Sequence, residues 1–189
     1  MAEHPFDVIA GVHLGKKGAI AFITDNLELL SVIDVPVIFE DPDVRPSVDT
    51  WNLAAIIRNW KPHKAFIERV NIPDGTSAKR HFALKGAEAA IEGLLGGKPI
   101  PYTFVNPNTW KTKLGIPASR QNAKDAALSE AIRRWPEHTK TFLAGKDDSR
   151  YKACLIAVSG ALNENNLQIK NARRKKEEKS NQLCLFFSF

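Results

Sequence analysis

Residues 8–22 read VIAGVHLGKKGAIAF. Two apolar runs flank a Gly-Lys-Lys-Gly turn. In the first run Val8, Ala10 and Val12 alternate with Ile9 and Gly11, so both faces are apolar. That pattern belongs to a central strand covered on both sides. The run ends on His13, an imidazole at the tip of a strand otherwise suited to burial. AIAFIT (19–24) returns as a second strand, and LELLSVIDVPVI (27–38) gives a third, interrupted by Pro36. Three runs joined by short turns form an antiparallel meander.

Beyond the meander the pattern changes to alternating helix and strand. Residues 40–50 are acidic and Pro-containing and read as a loop. A helix follows, capped by Ser47 or Asp49, with Trp51, Leu53, Ala54, Ile57 and Trp60 facing inward and Pro62 as its stop. KAFIERV (64–70) is a strand, apolar except for Glu68 near its carboxyl end. NIPDGTSAKRH (71–81) reads as a turn-rich loop, AEAAIEGLL (87–95) as a helix stopped at Gly96-Gly97, and IPYTFV (100–105) as a fifth strand. NPNTWKTKLGI (106–116) is a short helix or turn. Ser119 caps a helix running to Trp135, where Pro136 stops it. Asp147 and Asp148 open a last helix with Tyr151, Cys154, Leu155, Val158 and Leu162 on one face. The expected architecture is α/β: a mixed five-stranded sheet flanked by helices. It is expected as one domain over residues 1–163, followed by a basic, poorly ordered tail over 164–189.

The chain has 189 residues and a formal net charge of +6. Within 170–189, six basic residues face two acids, which leaves +4 there and only +2 for the rest. The tail is either a solvated terminal segment or a contact for nucleic acid or another anionic surface. Cys154 and Cys184 are the two cysteines, in no spacing that marks a zinc site or a disulfide framework. The first residues, MAEHPFDV, do not read as a signal peptide, and no apolar run approaches the ~20 residues of a membrane span. A cytoplasmic location is therefore expected.

In α/β sheets, functional groups gather at the carboxyl ends of strands. Glu68 and His13 stand at two such ends, and Asp147 and Asp148 open a helix that can pack beside them. Acids drawn from separate elements are what a hard divalent cation requires, and two such ions can activate water in phosphodiester cleavage. Each residue has a plainer reading. Asp147 or Asp148 can be a helix cap, Glu68 can be paired with Arg69 or another base, and His13 can be a hydrogen-bonded structural residue.

Four segments in order, IAGVHLGKKGAIAF, FIERV, IPYTFVNPNTWKTKLGI and KDDSRYKACLIAVSGAL, resemble the RuvC-like Holliday-junction resolvases of the ribonuclease H-like superfamily, above all the phage and prophage forms. The resemblance spans residue 7 to about residue 162. It implies a mixed sheet whose first three strands are antiparallel. It also implies Mg²⁺- or Mn²⁺-dependent hydrolysis of DNA at four-way junctions by a homodimer, and a bacterial or phage origin. The family's first motif resembles G-[IV]-D-P-G, and here the segment is Gly11-Val12-His13-Leu14-Gly15. His13 therefore stands where the family places its first metal-binding acid. Glu68 matches the second acid, and Asp147 and Asp148 match those of the last helix. Lys152 occupies the position of a further acid in that helix.

The resemblance thus gives Glu68, Asp147, Asp148 and His13 as the catalytic and metal-binding positions, with two acids replaced. Neutral imidazole is a poor ligand for Mg²⁺ and suits Mn²⁺ or Zn²⁺ better. Lys152, one helical turn after Asp148, is in reach to pair with it and compete with metal. Weak Mg²⁺ binding and slow or absent cleavage follow as the expectation. Two other readings are a Mn²⁺-dependent nuclease using His13 and a degenerate prophage gene. The composition of NARRKKEEKSNQLCLFFSF (171–189) is what a drifted frame would produce.

Candidate DNA contacts are Lys16, Lys17, Lys79, Arg80, Phe82, Lys111, Lys113 and Lys124, where basic residues can track phosphates. For the lysines the plain alternative is solubility; for Phe82 and Trp110 it is burial in the core. Besides a metal-dependent junction endonuclease, the reading retains a junction-binding protein without catalysis and an RNase H-like phosphotransferase.

Overall fold

The computed structural model describes residues 7–14, 18–38, 47–72, 74–117, 120–144 and 148–164. Lys16, Lys17, Asp147, Ser119 and the segment after Glu164 lie outside the described residues. The central sheet is built from β1 (Val8–His13), β2 (Ala19–Thr24), β3 (Leu29–Asp34), β6 (Lys64–Glu68) and β7 (Tyr102–Val105), with the two short strands β4 (Val37–Ile38) and β5 (Ser47–Val48) forming a separate ladder. The spatial order is β3-β2-β1-β6-β7. β1–β2 and β2–β3 pair antiparallel, while β1–β6 and β6–β7 pair parallel. The fold is the mixed five-stranded α/β sheet expected from the sequence.

Each face of the sheet carries its own core. Val8, Ala10, Val12, Ile20, Phe22, Ala65 and Ile67 pack against Leu53 and Ile57 of α1 (Thr50–Trp60) and Ile91 and Leu95 of α2 (Ala78–Gly96). On the other face Ile9, Ala21, Ile23 and Phe66 meet α3 (Pro107–Lys113), α4 (Arg120–Arg134), α5 (Thr139–Ala144) and a last helix, α6, over residues 149–164. The strand period of two explains the split, since alternate side chains face opposite layers.

α6 is not one-sided. Its residues 153–161 are buried all round, because it lies directly on the sheet with α3–α5 around it. Two glycines permit the approach. A Cβ on Gly11 would lie 2.2 Å from the Ala153 carbonyl oxygen, and one on Gly160 would lie 2.2 Å from the Phe66 ring.

Three sequence expectations change, and two alternatives left open are decided. Residues 78–81 are helical, not loop: α2 starts after Ser77, so Lys79, Arg80, His81 and Phe82 occupy its first turns. Proline and the turn residues end at Ser77, and nothing from Ala78 onward breaks the helix. Trp51 is 77% exposed, since Leu53 and Ile57, four residues apart, define the inward face and Trp51 falls outside it. Pro36 ends β3 outright, and Val37–Ile38 pair with Ser47–Val48 instead. Phe82 is 75% exposed and is not a core residue. Asp49, not Ser47, caps α1, its carboxylate accepting from the Asn52 backbone N–H at 3.0 Å.

Candidate functional site

The parallel register of β1 and β6 aligns Val12 with Ile67. The next residue on each strand, His13 and Glu68, therefore falls side by side, on the face that Gly11 and Phe66 present to α6. Both are buried. The His13 Nδ1 hydrogen-bonds to Glu68 Oε2. An ionised carboxylate has only lone pairs, so Nδ1 carries the proton and donates. The other oxygen, Glu68 Oε1, accepts from the Trp110 indole N–H at 2.8 Å. Trp110 is fully buried on α3, which begins immediately after β7 with Asn106 as its cap. Both Glu68 oxygens are thus held by protein donors.

Asp148 immediately precedes α6. Lys152 Nζ donates to Asp148 Oδ2 at 2.6 Å across one helical turn. These side chains are more open, at 29% exposure for Asp148 and 19% for Lys152. Arg150 fixes the same helix end. It donates to both oxygens of Asp34 at the end of β3, at 2.8 Å each, and to the Thr141 carbonyl at 3.1 Å. A bidentate guanidinium sets orientation as well as distance.

The two carboxylates share one electrostatic environment. Burial pushes the Glu68 carboxyl up, but the hydrogen bond and charge of His13, the Trp110 N–H and the Lys152 cation outweigh it and hold it below the usual range. Asp148 behaves alike: burial raises it, and the Lys152 hydrogen bond and charge, with His13 behind, bring it below its ordinary value. Each basic group acts on both acids, so the pairs His13–Glu68 and Lys152–Asp148 form one cluster.

The structure therefore brings His13, Glu68 and Asp148 together, with Lys152 among them. It does not gather the basic candidates into that cluster. Lys79, Arg80 and Phe82 lie exposed on α2, on the opposite layer of the sheet. Lys124 is exposed on α4. Lys113 donates to Asn163 on α6, and its ammonium is lowered by partial burial. Lys111 places its ammonium 5.7 Å from the ring centre of Trp110, the residue that bonds Glu68. Arg69, the base first considered for Glu68, instead lies over the Phe104 ring at 4.3 Å. Sequence reading missed the Trp110–Glu68 bond; a buried indole N–H needs an acceptor, and that requirement was the available signal. It also missed the buried Glu88 of α2, which accepts from the Val70 backbone N–H and from Lys85.

No protein-family model and no curated protein sequence matches the chain. Solved structures do. RuvC of Thermus thermophilus in complex with a Holliday junction substrate superposes with a TM-score of 0.55 at 13% identity, over 81% of this chain and 91% of that one. A second structure of Thermus thermophilus RuvC gives 0.54 at 15% identity, over 80% and 92%. The chain has the RuvC fold. On that fold the tips of β1 and β6 are the place where the resemblance puts divalent metal. The described residues do not fit such a group. Among them no set of three or more His, Cys, Asp or Glu side chains is arranged to hold a metal ion. Both oxygens of Glu68 and one of Asp148 are engaged by donors of the protein itself. A hard cation needs anionic oxygens turned toward it, and here an ammonium and an imidazole stand among them. Among the described residues no helix is long and apolar enough to cross a membrane.

Proposed function

We propose that this chain binds branched DNA, with the four-way junction as its ligand, and holds it without cutting it at the rate of a metal-loaded resolvase. The observation that carries the reading is the closed cluster at the strand tips: His13 on Glu68, and Lys152 on Asp148. The RuvC fold supports the junction as ligand, since a protein of that fold is seen in complex with one. Exposed Lys79, Arg80 and Phe82 on α2, with Lys111 beside Trp110, supply charge and an aromatic ring for backbone contacts. Lys16, Lys17, Lys113 and Lys124 are proposed as further phosphate contacts, and Asp147 as a partner of Asp148. A four-way junction has two-fold symmetry, which a homodimer matches.

The test is binding and cleavage of a labelled synthetic four-way junction, with Mg²⁺ and then Mn²⁺. The parent is compared with the His13→Asp, Lys152→Glu double variant. The parent is expected to bind and leave the strands intact, and the double variant to nick them. Cleavage by the parent in Mg²⁺ that a Glu68→Gln change abolishes would overturn the reading. Cleavage by the parent only in Mn²⁺, with the same dependence on Glu68, would make His13 a working ligand.

A further inference from the structure

The charge balance at the strand tips differs in kind from that of a metal-dependent nuclease. A centre built only of acids repels a phosphodiester until cations are bound, because like charges a few ångströms apart in a partly desolvated cleft are strongly unfavourable. Here the cluster contains its own counter-charge. Lys152 contacts Asp148 at 2.6 Å and also acts on Glu68. The His13–Glu68 pair is buried, while Asp148 and Lys152, at 29% and 19% exposure, form the partly exposed lip of the cluster. An ammonium has three N–H donors, and one of those of Lys152 serves Asp148. Among the described residues no other side chain is bonded to it, which leaves two donors for oxygens arriving from outside.

Resting on the junction-binding reading, we propose that this lip is a phosphate-binding site that works without a divalent ion, with Lys152 as the ligand of a DNA backbone phosphate. The protein's own cation takes the electrostatic place of the metal. Lys152 thereby becomes a determinant of binding.

The experiment is fluorescence anisotropy on a labelled four-way junction, in EDTA and in Mg²⁺ at matched ionic strength, over a range of salt. The parent is compared with Lys152→Glu, Lys152→Gln and Lys152→Arg, each checked for folding by circular dichroism. The parent is expected to bind equally in EDTA and Mg²⁺, within about twofold. Lys152→Glu is expected to lose about tenfold or more in EDTA and to recover part of it in Mg²⁺. Lys152→Arg is expected to stay close to the parent. Loss of one phosphate contact also lowers the salt slope by about 1, which a merely structural role would not do. Should Lys152→Glu fail to fold, Lys152→Gln gives the slope. A folded Lys152→Glu or Lys152→Gln that binds in EDTA as tightly as the parent, with an unchanged slope, overturns the inference while leaving junction binding intact. A parent that binds no junction under any condition overturns the functional reading, and this site with it.

Discussion

Replacement of Gly11 by alanine tests the placement of α6, on which the cluster depends. The added Cβ would lie 2.2 Å from the Ala153 carbonyl oxygen, 2.6 Å from the Ala157 backbone nitrogen and 2.6 Å from the Ala157 Cβ. None of these atoms belongs to a side chain that can rotate away. Strand and helix must separate by about 1 Å to restore ordinary contact, and insertion of a methyl into a filled core costs ~1–3 kcal/mol or more. Backbone on both sides places the change at the upper end. At ~2–4 °C per kcal/mol for a chain of this size, a loss of ~3 kcal/mol lowers Tm by about 6–12 °C. Gly93→Ala is the matched control, since nothing lies within 4 Å of its added Cβ. Within the helix α2 it should gain ~0.5–1 kcal/mol from lower chain entropy and better propensity. Thermal and urea denaturation of the two variants read both signs. A Gly11→Ala protein melting within about 2 °C of the parent, a change under ~1 kcal/mol, would show that α6 does not sit against β1 as described.

Two further outcomes can be checked on the same instruments. Trp110→Phe removes the donor at 2.8 Å from Glu68 Oε1 in a buried setting, so it should cost ~1–3 kcal/mol beyond any change in volume; a loss under ~0.5 kcal/mol would show the bond to be dispensable. Glu130 accepts from Arg133 and Arg134, and the Arg133 hydrogen bonds above all hold its carboxyl below the ordinary value of 4.5. Its folded value lies under its unfolded one, so the unfolded chain binds more protons in that window. The Glu130 contribution is therefore whole above pH 4.5 and is lost as pH falls through the folded value. The stability difference between the parent and Glu130→Gln should shrink below pH 4.5 and stay flat from there to neutrality; a difference that grows on acidification would reverse the sign.

The sheet was legible because its strands are short, apolar on both faces and separated by clear turn residues. His13 and Glu68 were legible as a site because polar groups at the ends of buried strands have no packing reason to be there. What could not be read was anything that depends on which side of a helix meets the sheet. Trp51 and Phe82 are large and apolar, so composition places them inside, yet the helices that carry them turn other residues inward. α6 reads as amphipathic, but it is surrounded, because α3–α5 cover the side that the pattern leaves open. The partner of Glu68 was sought next to it in sequence at Arg69. Adjacent strand residues point to opposite faces, so the real partners came from the neighbouring strand and from α3.

His13 at the tip of β1 and Lys152 on α6 act physically as one unit. An aspartate at position 13 alone would set a second carboxylate against Glu68 in a site about nine-tenths buried, and like charges that close force one of them to keep its proton. A glutamate at 152 alone would strip Asp148 of its cation and set three acids together with no ammonium among them. Either single reversal leaves a cluster with neither internal balance nor a complete ligand set. Both together leave acids alone, which a divalent ion can then satisfy. Histidine at 13 and lysine at 152 are thus mutually consistent: each holds down one acid and also acts on the other's. On the function proposed above, a cluster paired in this way needs no metal to balance its acids, and a phosphate approaching it meets an ammonium rather than a bare set of carboxylates.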